Sequence, residues 1–210
     1  MINQKYRKSP ESLVNYDFVD KITNQGSVSV YGNVDTASGA ILTRQPLASA
    51  YPYTDVGGAD ANLEINFDYT FNVPLLVKGK LYVTETYGAD NTASATALGW
   101  TTLEPIHVDG VTANETSMAA AVQTKGVTNP ADTARSWERV VAGFDVDKQF
   151  KKGDKLRIEV IIHVEGTTTN ATTRLCNDGA NRDLGQEAPA GTPVDSTFVV
   201  DIPFDLGGIL

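Results

Sequence analysis

The stretch "ANLEINFDYTFNV" (61–73) alternates apolar and polar residues along its whole length. Leu63, Ile65, Phe67, Tyr69, Phe71 and Val73 fall on one side, and Asn62, Glu64, Asn66, Asp68, Thr70 and Asn72 on the other. A helix, turning once every 3.6 residues, would scatter those apolar side chains around its circumference; an extended strand lines them up. "DKLRIEVIIHVEG" (154–166) repeats the pattern with Leu156, Ile158, Val160, Ile162 and Val164. A chain that holds two such runs builds a sheet with one dry face, and that face needs a second layer to cover it.

Further strand signals follow the same logic. They are "YDFVDKI" (16–22), "SVSVYG" (27–32), "AILTRQPL" (40–47), "GKLYVTETYG" (79–88), "ALGWTTLEPIHV" (97–108) and "STFVVDIPFDL" (196–206). In 79–88 the alternation puts Leu81, Val83 and Glu85 opposite Tyr82, Thr84 and Thr86. Pro105 is expected to break its strand, because it has no amide hydrogen for a ladder. "SWERVVAGFDV" (136–146) reads as strand or helix, since Trp137, Val140 and Val141 also suit a helical face. The best helix candidate is "NETSMAAAVQTKG" (114–126), with a polar cap and a Gly stop. Gly-, Thr- and Asn-rich stretches such as "GTTTNATT" and "GQEAPAGTPVD" read as loops. Many short strands with turns between them predict an all-β chain: a single antiparallel β-sandwich with jelly-roll character over 16–210, preceded by an N-terminal arm over 1–15.

A Lys-Gly pair occurs twice, in "VPLLVKGKLYV" and "FKKGDKLRIEV". Each is expected to be a turn in one of two equivalent strand-turn-strand units, with Gly accepting the turn conformation and Lys keeping the tip wet.

The chain of 210 residues carries 17 Lys+Arg against 26 Asp+Glu, a net charge of −9. That balance disfavours nucleic acid and anionic membranes as partners. Lys5, Arg7 and Lys8 cluster in an arm that reads as a solvated terminus or as a contact with an acidic neighbour. Cys176 is the single cysteine, so no intrachain disulfide forms. "MINQKYRKSPESL" lacks the apolar core of a secretion signal, and no apolar run approaches membrane length, so a soluble protein made in a cytoplasm is expected.

The inventory for chemistry is thin. His107, His163 and Cys176 fill no zinc site without carboxylates. His163 falls on the face opposite Ile162 and Val164, with Arg157, Glu159 and Glu165. A glycosidase needs two carboxylates within about 5–10 Å. Glu159 with Glu165, and Glu64 with Asp68, share strand faces, and such pairs also read as a solvated sheet face. Asp178, Asn181 and Asp183 gather in "CNDGANRD", where oxygen ligands for Ca²⁺ or a hydrogen-bonded turn are the two readings; Arg174 or Arg182 would pin it. Tyr51, Tyr53, Tyr82, Tyr87 and Trp100 are candidates for an exposed aromatic surface, with Tyr51 and Tyr53 the first choice for a glycan contact.

The order of "YDFVDKITNQGSVSVYG", "INFDYTFNVPLLVKGKLYVTETYG", "FKKGDKLRIEV", "CNDGANRD" and "TFVVDIPFDL" resembles a family of small all-β virion structural proteins of tailed phages. The resemblance implies a chain with no catalytic residues and no cofactor, located in the virion. It further implies a capsid decoration or cement protein that bridges major capsid subunits, or a tail, collar or fibre-associated component. Partners would be the major capsid protein or other virion proteins, with homo-oligomerisation, and the apolar tail Ile209-Leu210 would insert into a partner. A carbohydrate-binding module and a carboxylate hydrolase are the readings from other classes.

Overall fold

The computed structural model describes residues 25–35, 39–49, 53–91, 97–129, 136–166, 171–179 and 198–205. These contain thirteen strands: β1 (Gln25–Asp35), β2 (Gly39–Thr43), β3 (Tyr53–Gly57), β4 (Ala61–Thr70), β5 (Leu75–Asn91), β6 (Ala97–Val108), β7 (Glu115–Ser117), β8 (Val122–Gln123), β9 (Val127–Asn129), β10 (Ser136–Phe150), β11 (Lys155–Gly166), β12 (Ala171–Cys176) and β13 (Phe198–Asp205). The fold is all-β, and it is an antiparallel sandwich with jelly-roll character. The arm over 1–15 and the strand expected over 16–22 lie outside the described residues.

One layer centres on β5. It pairs with β10 along one edge, and on the other with β13 at residues 82–85 and β12 at 86–91. The facing layer is β2-β4-β11-β6, with β7, β8 and β9 pairing in turn along the far edge of β6. β1 joins the layers: its first half pairs with β13 and its second half with β2. Among the described residues the single parallel contact is the Ile41–Asp68 bridge between β2 and β4. The core fills from both sides with Leu81, Val83 and Tyr87 of β5, Leu156, Ile158, Val160 and Ile162 of β11, and Phe198, Val200 and Ile202 of β13. Phe67 of β4 stacks on Phe198 of β13 with ring centroids 4.2 Å apart, which fixes how the layers meet.

The two Lys-Gly segments are not equivalent turns. Lys78-Gly79 lies inside β5, opposite Val146, whereas Lys152-Gly153 forms the turn between β10 and β11. Both glycines hold a positive φ, 125° at Gly79 and 93° at Gly153, which a side chain would resist. The real equivalence lies one step away. β4→β5 and β10→β11 each cross from one layer to the other, and their corners bond to each other: Phe71 N donates to Asp154 O at 2.9 Å and Gly153 N to Phe71 O at 2.8 Å.

Three expectations are corrected. Residues 114–126 form no helix; they run as a strap along the edge of β6, where β7 and β8 make short pairs. Pro105 does not break β6. Its carbonyl accepts from Met118 N at 2.9 Å on the outer edge, so its missing amide also points outward, into the gap between β7 and β8. The "ATT" that ends "GTTTNATT", read as loop, opens strand β12.

Candidate functional site

The outer face of β4, β11 and β6 collects the chemistry that the core excludes. Because β11 pairs with β4 on one side and β6 on the other, its outward residues define rows across three strands. The rows are Asn62–His163–Trp100, Glu64–Ile161–Thr102, Asn66–Glu159–Glu104 and Asp68–Arg157–Ile106. In the first, the Trp100 and His163 rings stack with centroids 5.1 Å apart and planes 10° from parallel. His163 Nε2 lies 3.2 Å from Thr102 Oγ1, and burial lowers the imidazole pKa, which favours the neutral ring.

The third row puts Glu159 directly across from Glu104. Burial raises the Glu159 pKa, and the like charges of Glu64, Glu104 and Glu115 add to that, against an opposing pull from Arg157. Arg157 is committed to the next row: Nε and Nη2 donate to Asp68 at 2.7 and 3.0 Å, and Nη1 donates to Glu115 at 2.5 Å. Glu64 accepts from Asn66 Nδ2 at 2.7 Å. Among the described residues, no cation bonds to Glu104 or Glu159.

Thr102 and His163 are a hydroxyl–imidazole contact of the kind that activates a nucleophile. Here the contact orients a ring that is already stacked on Trp100. It lies on an open sheet face, and among the described residues no carboxylate bonds the His163 ring.

The other expected sites divide. Lys5, Arg7, Lys8, Tyr51, Asn181, Arg182, Asp183, Ile209 and Leu210 lie outside the described residues. Asp178 is fully buried, and its Oδ1 accepts from Ser49 N at 2.8 Å, an internal tie within the fold. Among the described residues no group of three His, Cys, Asp or Glu side chains could hold a metal ion. Arg174 pairs with Asp55 at 3.0 Å and lies over the half-buried Tyr53 ring, 5.0 Å from its centroid. Tyr87 is not a surface aromatic: it is fully buried, and its hydroxyl donates to Lys125 O at 2.5 Å. Cys176 is buried, which pushes its thiol up to about 12 and leaves it inert at neutral pH. Glu159 and Glu165 stand six residues apart on one strand, about 20 Å at the usual rise, too far to share a substrate bond. Glu64 and Asp68 stand about 13 Å apart by the same measure. Glu104 escapes a reading of the sequence by single strands, although it falls in phase with Trp100 and Thr102.

No protein-family model matches the chain, and no curated protein is similar to it in sequence. Solved structures are similar to it in fold. An α-amino acid ester hydrolase superposes with a TM-score of 0.50 at 12% identity, over 85% of this chain and 36% of the hydrolase. A CocE/NonD family hydrolase from Staphylococcus aureus gives 0.49 at 10% identity, over 86% of this chain and 37% of its own. The infectious bursal disease virus Gt strain structure reaches only 0.26 at 10% identity, over 87% of this chain and 36% of its own. The resemblance to phage virion proteins is therefore corrected. The fold match with a TM-score of 0.50 is to a hydrolase, and the viral likeness, at 0.26, is too weak to carry an argument. The decoration, tail and fibre roles fall with it, as does the expectation of a non-enzymatic chain. The chain spans little more than a third of the hydrolases it matches, and at 12% identity the match to the α-amino acid ester hydrolase shows a shared fold alone.

Proposed function

We propose that the chain is the substrate-holding β-sandwich of a hydrolase, and that the outer face of β4, β11 and β6 receives the cationic end of an amine-bearing substrate. The observation that carries this reading is the Glu104–Glu159 pair. Like charges directly opposite on neighbouring strands cost stability. The adjacent row shows the arrangement that stability alone favours, with Arg157 between Asp68 and Glu115. An ammonium group seated between Glu104 and Glu159 would relieve their repulsion, and the Trp100–His163 stack, two rows further along the same face, would offer a flat surface to the far end of the substrate. The α-amino acid ester hydrolase that shares the fold is named for a substrate with such an amine. Cleavage itself falls to groups beyond this face.

Calorimetric titration tests the reading, with phenylalanine methyl ester as probe and its N-acetyl derivative, which has no charge, as control. The charged ester is expected to bind, with at least tenfold weaker binding in Glu104→Gln and in the control. Equal binding of both esters, or of neither, overturns the proposal.

A further inference from the structure

The core contains a carboxyl group with no surface role. Glu85 of β5 is fully buried among apolar side chains. Its Oε1 accepts from the Thr101 hydroxyl of β6, across the sandwich, and its Oε2 is buried with no hydrogen-bond partner among the described residues. Thr101 is in turn the anchor of the strap. Thr124 N donates to Thr101 O at 2.9 Å, Thr101 N donates to Thr124 Oγ1 at 2.9 Å, and the two hydroxyls lie 3.0 Å apart. One residue on, Lys125 O takes the Tyr87 hydroxyl from β5. The strap closes the side of the sandwich between the edge of β6 and the layer of β5 and β10, and β9 touches all three.

We propose that Glu85 and Thr101 form a pH-operated latch on this strap. With Glu85 neutral, the layers are bridged and residues 122–129 stay down; when Glu85 ionises, the strap opens to let water reach the carboxylate. The stranded oxygen is the reason. A neutral carboxyl tolerates one unpartnered oxygen, whereas a buried carboxylate with a single hydrogen bond does not. The groups that face it offer no compensation. Tyr87 neighbours it on β5, Val140 lies opposite on β10 with Glu138 beyond, Phe198 lies opposite on β13, and Cys176 and Asp178 lie on the β12 side. None is a cation, and Lys125 is exposed. Burial accordingly raises the Glu85 pKa to about 7, against the Thr101 hydrogen bond that lowers it. The strap is the weakest cover available. β8 has two residues and β9 three, whereas the sheets on either side are paired over ten or more positions.

The test is amide hydrogen exchange from pH 5 to pH 8.5. With a folded pKa above that of the solvated carboxyl, closure is favoured at low pH and lost as pH rises. Protection of the Thr101 and Thr124 amides, corrected for intrinsic exchange, should fall up to about tenfold per pH unit until pH 7 and then level off. The amides of Ile158 and Val160 on β11 should not follow. Glu85→Gln should flatten the profile. Tyr87→Phe, which removes the hydroxyl's contacts with Lys125 and Thr124 of the strap but leaves the Glu85 carboxyl in place, should lower strap protection by one factor at every pH and keep the profile. A wild-type strap with constant protection across this range overturns the latch, as does an unchanged profile in Glu85→Gln. Loss of protection at β11 in step with the strap overturns it too, because that is global unfolding.

Discussion

His107 Nε2 lies 2.9 Å from Asp154 Oδ2, and this contact locks the corner where β10 crosses to β11. The same carboxylate accepts from Lys151 N at 2.8 Å and Gly110 N at 3.0 Å, so it gathers the turn, the end of β6 and the loop after it. The Phe150 ring packs against His107, with centroids 5.0 Å apart and planes at 70°.

That cluster has an acid limit. Burial works to raise the Asp154 pKa, but the Lys151 amide, the His107 ring and the Gly110 amide outweigh it and hold the carboxyl at about 2. A folded pKa below the unfolded one means that this stability is present above about pH 4 and is lost as pH falls toward 2. Asp154→Asn should flatten this part of the acid unfolding curve. At pH 7, Asp154→Ala should cost about 2–3 kcal/mol by leaving buried donors unpaired, measured by urea denaturation.

The Phe67–Phe198 stack joins β4 to β13 across the core, and both rings are fully buried. Phe67→Ala should destabilise the fold by about 3–5 kcal/mol. Gly32 leaves room for the same stack, since a Cβ there would stand 2.6 Å from Phe198 Cδ1. Gly32→Ala should therefore also lower the melting temperature.

Gly99 on the core face of β6 is a close approach between layers. A Cβ there would stand 2.4 Å from Thr173 Oγ1 and 2.9 Å from Thr173 Cγ2. Gly99→Ala should cost about 1–3 kcal/mol as overpacking. Adding Thr173→Ala should recover part of the loss, because the obstructing atoms disappear and Thr173 Oγ1 has no partner among the described residues to lose. Thermal unfolding of the two single variants and the double variant measures the coupling.

Glu159 separates stability from binding. Glu159→Gln should raise stability by a few tenths of a kcal/mol through relief of the cross-strand repulsion, while weakening the charged ester. Since burial and the neighbouring carboxylates raise the Glu159 pKa, affinity should fall as pH drops and Glu159 takes up a proton. Melting curves and calorimetry on the same preparation check both signs.

Alternation along β4, β6, β11 and β13 made the sandwich legible, because one wet and one dry face leave a period-two trace in the residues themselves. β12 left none: Thr172 and Thr173 look alike in sequence, yet one is half-buried and the other fully buried. β10 stayed ambiguous because Val141 faces outward and is 63% exposed, which blurs its period. The working face was half visible. Trp100, His163 and Glu159 stand out on their own strands, but which carboxylate opposes Glu159 depends on the register of β6 against β11. That register is set by packing, so Glu165 was the apparent partner and Glu104 is the actual one.

The central claim, an amine-binding outer face, is tested most directly by nuclear magnetic resonance on the labelled chain titrated with phenylalanine methyl ester. The account predicts shifts confined to Asn62, Glu64, Trp100, Thr102, Glu104, Glu159 and His163, with the Trp100 indole N–H among the largest. Shifts elsewhere with this face silent, or no shift at millimolar ester, would contradict it.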